Sequence, residues 1–318
     1  MKKNLRALPK LRDSLSFLYV EHARVERGDN ALLSYDEKGV THIPIAALGV
    51  LLLGPGTSIT HEGVKVATEN GCSIVWSGEQ GVRTYAQGMG ETRSAVRLLR
   101  QAALHADTAG HIAVVLRMYE KRFGETVPAG TTIEQIRGRE GVRVRTAYQH
   151  ASRDFGVEWS GRNYDRSSWG AADPVNRALS CAAACLYGVC HCAVVSAGYS
   201  PALGFVHTGK LLSFVYDVAD LYRVDLIVPV AFEVAALQSR GDVLNVEREV
   251  RIRCRESFRQ GRLLDRVVRD IDELMQPNEA DLERAREHLD GTDDPPGWLW
   301  DGEGQEVEGG VNHGPTDP

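Results

Sequence analysis

The apolar residues change period once along the chain, and that change divides what it can fold into. Up to about residue 88 they come in short strand-like runs separated by tight turns. ARVERGDNALLSYD gives two runs about a Gly-Asp-Asn turn, and THIPIAALGVLLLGPG an alternating run followed by a buried one. HEGVKVATENG, residues 61–71, has the spacing of a short helix stopped by glycine; CSIVWSGEQGVRTYA adds two strand pieces around Gly78 and Gly81. From about Glu91 the spacing is helical: ETRSAVRLLRQAALHAD, GHIAVVLRMYEKRFGE, TTIEQIRGREGVRVRTAYQHASRDFG, the 174–198 stretch, SFVYDVADLYRVDLIVPVAFEVAAL and the Arg-rich 247–275. Gly88 and Gly90 mark the break. The expected fold class is α+β: an N-terminal β-rich domain over 1–90, crossed by one helix, then a larger, mostly α-helical domain over 91–276. Residues 277–318 hold five of the twelve prolines and seven of the 32 glycines. They are expected to be a disordered tail unless a partner takes up Trp298-Leu299-Trp300, with helical potential only at 279–289.

A net charge of −6 over 318 residues argues against a nucleic-acid coat protein and a polybasic membrane binder. The charge is unevenly placed. The tail carries twelve acids against Arg284 and Arg286, a charge of −10, which leaves +4 on residues 1–276. Six cysteines without a CxxC pair, behind a start that lacks a signal-peptide core, fit reduced thiols in a cytoplasmic protein. The apolar run 181–198 contains His191, is rich in Ala, Cys and Gly, and lies between Asp173-Pro174 and Ser200-Pro201. It reads as a core helix rather than a membrane span. Cys181, Cys185 and Cys192 share a helix face as ligands could, but their apolar flanks favour packing. No Walker loop, G-x-G-x-x-G or G-x-S-x-G occurs, so nucleotide-binding and serine-hydrolase readings lack their signatures.

Three segments carry chemistry. In GFVHTGKLLSFVYDVADLYR, residues 204–223, Asp217 and Asp220 are three apart and share a helix face bordered by apolar residues. His207, on a Gly-flanked turn, is close enough in sequence to approach them. Two like charges beside a core call for a cation, and carboxylates with an imidazole suit Mg²⁺ or Mn²⁺. The alternative is a solvated helix face with a hydrogen-bonded core histidine. In QIRGREGVRVR, Glu140 sits amid Arg137, Arg139, Arg143 and Arg145. These are either surface ion pairs or a carboxylate ligand beside a phosphate-binding cluster. Arg248, Arg251, Arg255, Arg259, Arg262, Arg266 and Arg269 recur at three- and four-residue steps. One unbroken helix places all seven on a single stripe suited to DNA phosphates, Gly261 is a point where that helix can break, and five interleaved acids offer a salt-bridged face instead.

Glu140 in EQIRGREGVRVR, His207 in GYSPALGFVHTGK, and Asp217 with Asp220 in SFVYDVADLYR closely resemble the CRISPR-associated integrase family ("Cas-one"), the adaptation protein of CRISPR immunity, in its type I-E branch. Similar stretches include THIPIAALGVLLLGPGT, GCSIVWSGEQGVRTYA, KRFGE and DPVNRALSCAAACLYGV, so the likeness spans roughly 5–276 and omits the tail. The resemblance implies a catalytic helical domain and a homodimer. Two dimers flank a dimer of the small partner "Cas-two" in a heterohexamer that captures a double-stranded DNA prespacer and inserts it at the leader end of the CRISPR array, joining it to the repeat. By position it implies Glu140, His207 and Asp220 as ligands of Mg²⁺ or Mn²⁺, and Asp217 as a supporting acid. Lys65, Arg83, Arg162, Tyr164, Tyr187, Lys210, Arg223, Arg248 and Arg251 fall where DNA-contacting or site-supporting residues are expected. The arginines Arg137, Arg139, Arg143 and Arg255 join them from the residue reading. Where relatives offer a tyrosine to a splayed DNA end, this chain has His22. The activity implied is metal-dependent joining of a prespacer 3′-OH to the repeat by transesterification. The rivals are a non-catalytic DNA scaffold and a stand-alone nuclease for branched DNA.

Overall fold

Val50, Leu51, Leu52 and Leu53 are apolar in succession, and all four are buried, because the strand they form is covered on both faces. The computed structural model describes residues 17–29, 31–45, 48, 50–70, 72–78, 84–88, 95–161, 173–276, 298–300 and 306–308. Strand β5 (Val50–Leu53) lies between β1 (Phe17–Val20) and β7 (Ser73–Ser77), parallel to both, and β8 (Thr84–Gly88) closes the sheet antiparallel to β7. A second sheet is a meander of β2 (Arg24–Arg27), β3 (Leu32–Asp36) and β4 (Gly39–Ile43), with short β6 (Ser58–Ile59) parallel to β2. Helix α1 (His61–Glu69) joins β6 to β7; the Thr60 hydroxyl accepts its N-terminal Gly63 N–H at 3.2 Å. Leu51, Leu53 and Ile74 pack with Val25, Leu32 and Ala67 in one core. The alternate residues Val50, Leu52 and Val75 meet Cys192 on the other face.

Cys192 belongs to α5 (Pro174–Ser196), the axis of the helical part. Around it stand α2 (Val96–Ala106), α3 (Thr108–Phe123), α4 (Ile133–Phe155), α6 (Ser213–Asp220), α7 (Val228–Ser239), α8 (Val246–Gln260) and α9 (Leu263–Met275). Asp173 caps α5, accepting from the Asn176 N–H at 3.0 Å, and Pro174 fills the first turn, where no N–H is needed. By length and hydropathy α5 could cross a membrane, but 72% of its apolar window is buried inside the protein. Its small side chains let α7 and α8 approach closely. Cys185, Cys190 and Cys192 are buried among them, Cys181 is half-buried, and all are free thiols. Burial pushes the Cys190 thiol above its ordinary pKa, the environment of a packing residue.

The structure decides one conditional reading. The arginine run does not form one helix: α8 ends at Gly261, and Arg262 adopts a left-handed backbone (φ 47°) before α9 begins. The seven arginines are therefore split between two axes, as Gly261 already hinted. Arg248 and Arg255 remain exposed on α8 and Arg251 is half-buried. Arg259 pairs with Glu256 at 2.9 Å, and Arg266 lies over the Tyr222 ring. The chain also divides into two units, Pro9–Pro277 and a smaller one of Met1–Leu8 with Asn278–Pro318. In the smaller one β9 (Trp298–Trp300) pairs antiparallel with β10 (Glu306–Glu308); the rest of the 277–318 tail lies outside the described residues. Aromatic and branched residues around Gly302 and Gly304 give this short stretch a hairpin pattern that average composition hides.

Candidate metal and nucleic-acid site

Asp217 is completely buried, and both of its oxygens are used. One accepts the backbone N–H groups of Phe205 (2.6 Å) and Val206 (3.1 Å); the other accepts the N–H of His207 (2.8 Å) and meets its Nδ1 at 2.7 Å. The carboxylate thus folds the loop before α6 back onto the helix. Gly204 permits this closure: a Cβ there would stand 2.3 Å from the His207 carbonyl oxygen and 2.7 Å from Ser213. Because a carboxylate only accepts, Asp217 places the imidazole proton on Nδ1 and leaves the Nε2 lone pair to face outward on a side chain 44% exposed. The hydrogen bond to Asp217 raises the His207 pKa; burial opposes it, Asp217 and Asp220 add to it, and Arg122 works against it.

Asp220, one turn on, points elsewhere. Its carboxylate lies 3.8 Å from Arg122 and 3.6 Å from Arg223. Glu140, in the middle of α4, receives a bidentate bond from Arg143 (2.8 and 3.0 Å) and lies 3.9 Å from Arg122. Helix α4 holds it there through a capping box between Thr132 and Gln135 and the left-handed stop at Gly156. Arg122 of α3 therefore stands between the two acids, its side chain only 3% exposed, with Nη2 donating to the Asp217 carbonyl at 3.4 Å and its Nε without a hydrogen bond. The hydrogen bond to Glu140 raises the Arg143 pKa above its ordinary value; burial opposes this, and Glu140, Asp225 and Asp220 reinforce it. Burial disfavours the charge of Arg223, but Tyr148, Tyr187 and Asp220 outweigh it.

Arg223 opens a π-helical turn, Arg223–Ile227, at the entry to α7. Pro229 has no N–H to give the Asp225 carbonyl and its ring would collide with it, so the wider turn relieves a conflict written in the sequence. Next to the site, Tyr216 lies edge-on between the rings of His207 (5.9 Å) and Tyr187 (5.0 Å).

Among the described residues no three His, Cys, Asp or Glu side chains converge as a ligand cluster; the guanidinium groups of Arg122 and Arg143 neutralise the acids instead. The donor chemistry nevertheless fits a hard divalent cation: two carboxylates that flank one shared positive charge, and an imidazole whose tautomer is set by a buried acid.

The structure brings Glu140, His207, Asp217, Asp220, Arg143, Arg223 and Tyr187 into one region. It separates the roles of the two aspartates, because Asp217 serves the loop and the imidazole. Arg137, Arg139 and Lys210 are exposed near it in sequence, with Arg139 paired to Glu125 and stacked on Phe123. Lys65 is on α1, 4.0 Å from Glu69, among the strands. Arg83, Arg162 and Tyr164 lie outside the described residues. His22 has a positive φ of 50° and packs its Nδ1 against Gly56. Sequence reading missed Arg122 and Tyr216. The available signal for Arg122 was an arginine at helical spacing from the buried face of Val115, Met118 and Tyr119.

Residues 116–241 match the family CRISPR associated protein Cas1. Over 316 residues the chain is 55% identical to "CRISPR-associated endonuclease Cas1 2" of Thermus thermophilus, covering 99% of this chain and 95% of that one. It is 45% identical to "CRISPR-associated endonuclease Cas1" of Geobacter sulfurreducens over 279 residues, 87% of this chain and 90% of that one. A crystal structure of a TtCas1–DNA complex superposes with a TM-score of 0.76 at 56% identity, covering 85% of this chain and all of that one. With that identity sustained along nearly the whole length, the chain belongs to the CRISPR-associated Cas1 family.

Proposed function

We propose that the chain is the metal-dependent DNA integrase and endonuclease of CRISPR adaptation, working in the cytoplasm as a homodimer that assembles with Cas2. The observation that carries this reading is the His207–Asp217 pair, which leaves one imidazole nitrogen unused on the loop before the helix of Asp220, with Arg122 lying between Asp220 and Glu140. Glu140, Asp220 and Nε2 of His207 would hold Mg²⁺ or Mn²⁺, which supplies Lewis acidity at a phosphodiester. Asp217 keeps the ring in its Nδ1–H tautomer. The forks of Arg143 and Arg223 match phosphate oxygens and position the strands. In the reaction a prespacer 3′-oxygen bonds to a repeat phosphorus as the repeat 3′-oxygen leaves. The number of phosphodiesters is unchanged, and no nucleotide hydrolysis is needed. Water in place of the 3′-OH gives hydrolysis, consistent with relatives named as endonucleases.

Strand transfer into a repeat-bearing duplex, with Mg²⁺, Mn²⁺ or EDTA, tests the reading. Joined product is expected with either metal and none with EDTA. Joining that survives EDTA would overturn the metal site, and DNA binding without joining under any condition would favour the scaffold. Branched-DNA cleavage that needs no Cas2 and ignores repeat sequence would favour the stand-alone nuclease.

The exposed arginines of α8 make a separate prediction. Arg248→Ala and Arg255→Ala should each weaken DNA binding and reduce the slope of log affinity against log salt by about 1. A titration series from low to high salt measures this, and an unchanged slope would make these arginines structural.

A further inference from the structure

The loop that carries His207 is also held by residues of α2 and α3. Gln101 of α2 is fully buried; its Nε2 donates to the carbonyls of Ser200 and Leu203, both at 3.0 Å, and its Oε1 accepts the Ser200 N–H at 2.8 Å. Nearer to His207 along the chain, the loop meets His111 in the first turn of α3. Its Nε2 is 2.8 Å from the Phe205 carbonyl and its Nδ1 3.2 Å from the His105 carbonyl in the last turn of α2. Both partners only accept, and the shorter contact, to the Phe205 carbonyl, is read as an Nε2–H donor bond. Contacts among the rings of His105, His111 and Phe205, with centroids 5.1–5.7 Å apart, set the ring's orientation. Phe205 is thereby fastened twice, by its carbonyl to His111 and by its N–H to Asp217, two residues before His207.

We propose that His111 is a positioning residue for the site: its hydrogen bond to the Phe205 carbonyl fixes the loop and so the place of the His207 imidazole. The functional half of this rests on the strand-transfer reading, the structural half on geometry alone. The full-length chain carrying His111→Phe keeps a ring between His105 and Phe205 but has no N–H, whereas His111→Gln restores a donor of similar reach. In hydrogen exchange on the free protein, the Phe205, Val206 and His207 amides of His111→Phe are expected to exchange about tenfold faster, with α9 unchanged. In strand transfer its half-maximal Mn²⁺ concentration is expected to rise about tenfold with little change in rate at saturating metal, and His111→Gln to restore both.

Unchanged exchange at 205–207 in folded His111→Phe overturns the clamp. Faster exchange with an unshifted Mn²⁺ midpoint, in a protein where His207→Ala still stops strand transfer, overturns the positioning role. Strand transfer that survives His207→Ala overturns the functional reading instead and leaves the clamp standing. If His111→Phe does not fold, His111→Leu is read in the same way against the same outcomes.

Discussion

His207→Ala is expected to reduce strand transfer on the order of 10³-fold, because a Lewis acid contributes several kcal/mol and each 1.36 kcal/mol is a decade of rate. The same change should cost at most about 1 kcal/mol of stability, since it removes a single side-chain hydrogen bond at a half-exposed position. The loop does not depend on the imidazole: the main-chain N–H groups of Phe205, Val206 and His207 still reach Asp217 when residue 207 is alanine. Joined product from a gel assay, read beside a thermal melt, separates the two effects. Full strand transfer by a folded His207→Ala protein would remove the imidazole from the chemistry.

The same separation shows what was legible in the sequence. The α+β class and the order of elements followed from period alone, and 61–71 gave the helix now seen at His61–Glu69. Cysteines in an apolar run read correctly as packing, because the flanking residues were all apolar. That Asp217 and Asp220 belong together was visible from their spacing; that they do different work was implied by the family resemblance and not by the residues themselves. Their roles depend on whether the chain from Gly204 to His207 folds back onto α6, a closure set by one glycine and three backbone N–H groups. Arg122 escaped notice because its meaning is non-local: α3, α4 and α6 must pack before a guanidinium can lie between Glu140 and Asp220. The single arginine stripe depended on one helix running through Gly261. The periodicity continued there but the backbone turned, and a helical wheel cannot carry a face across a break.

Asp217→Asn is expected to be the most damaging single-atom-scale change in the site, costing about 3–5 kcal/mol of stability as well as strand transfer. An asparagine amide has one acceptor oxygen and one NH₂. Asp217 has donors on both sides: Phe205 and Val206 on one oxygen, the N–H and Nδ1 of His207 on the other. Whichever way the amide is turned, its NH₂ faces backbone N–H, with no water to relieve it at zero exposure. Turned toward His207, it also removes the acceptor that holds the proton on Nδ1, so the ring can present N–H where a lone pair is needed. Asp220→Asn provides the control. Its side chain is 21% exposed and its arginine partners lie at 3.6 and 3.8 Å, so the cost to stability should stay under about 1 kcal/mol while strand transfer falls comparably. Denaturant melts of the two variants beside integration assays measure the contrast. Equal, small losses of stability would show that Asp217 does not organise the loop. A stable Asp217→Asn protein with normal strand transfer would remove it from the imidazole's tautomer control as well, because both roles rest on the same two oxygens.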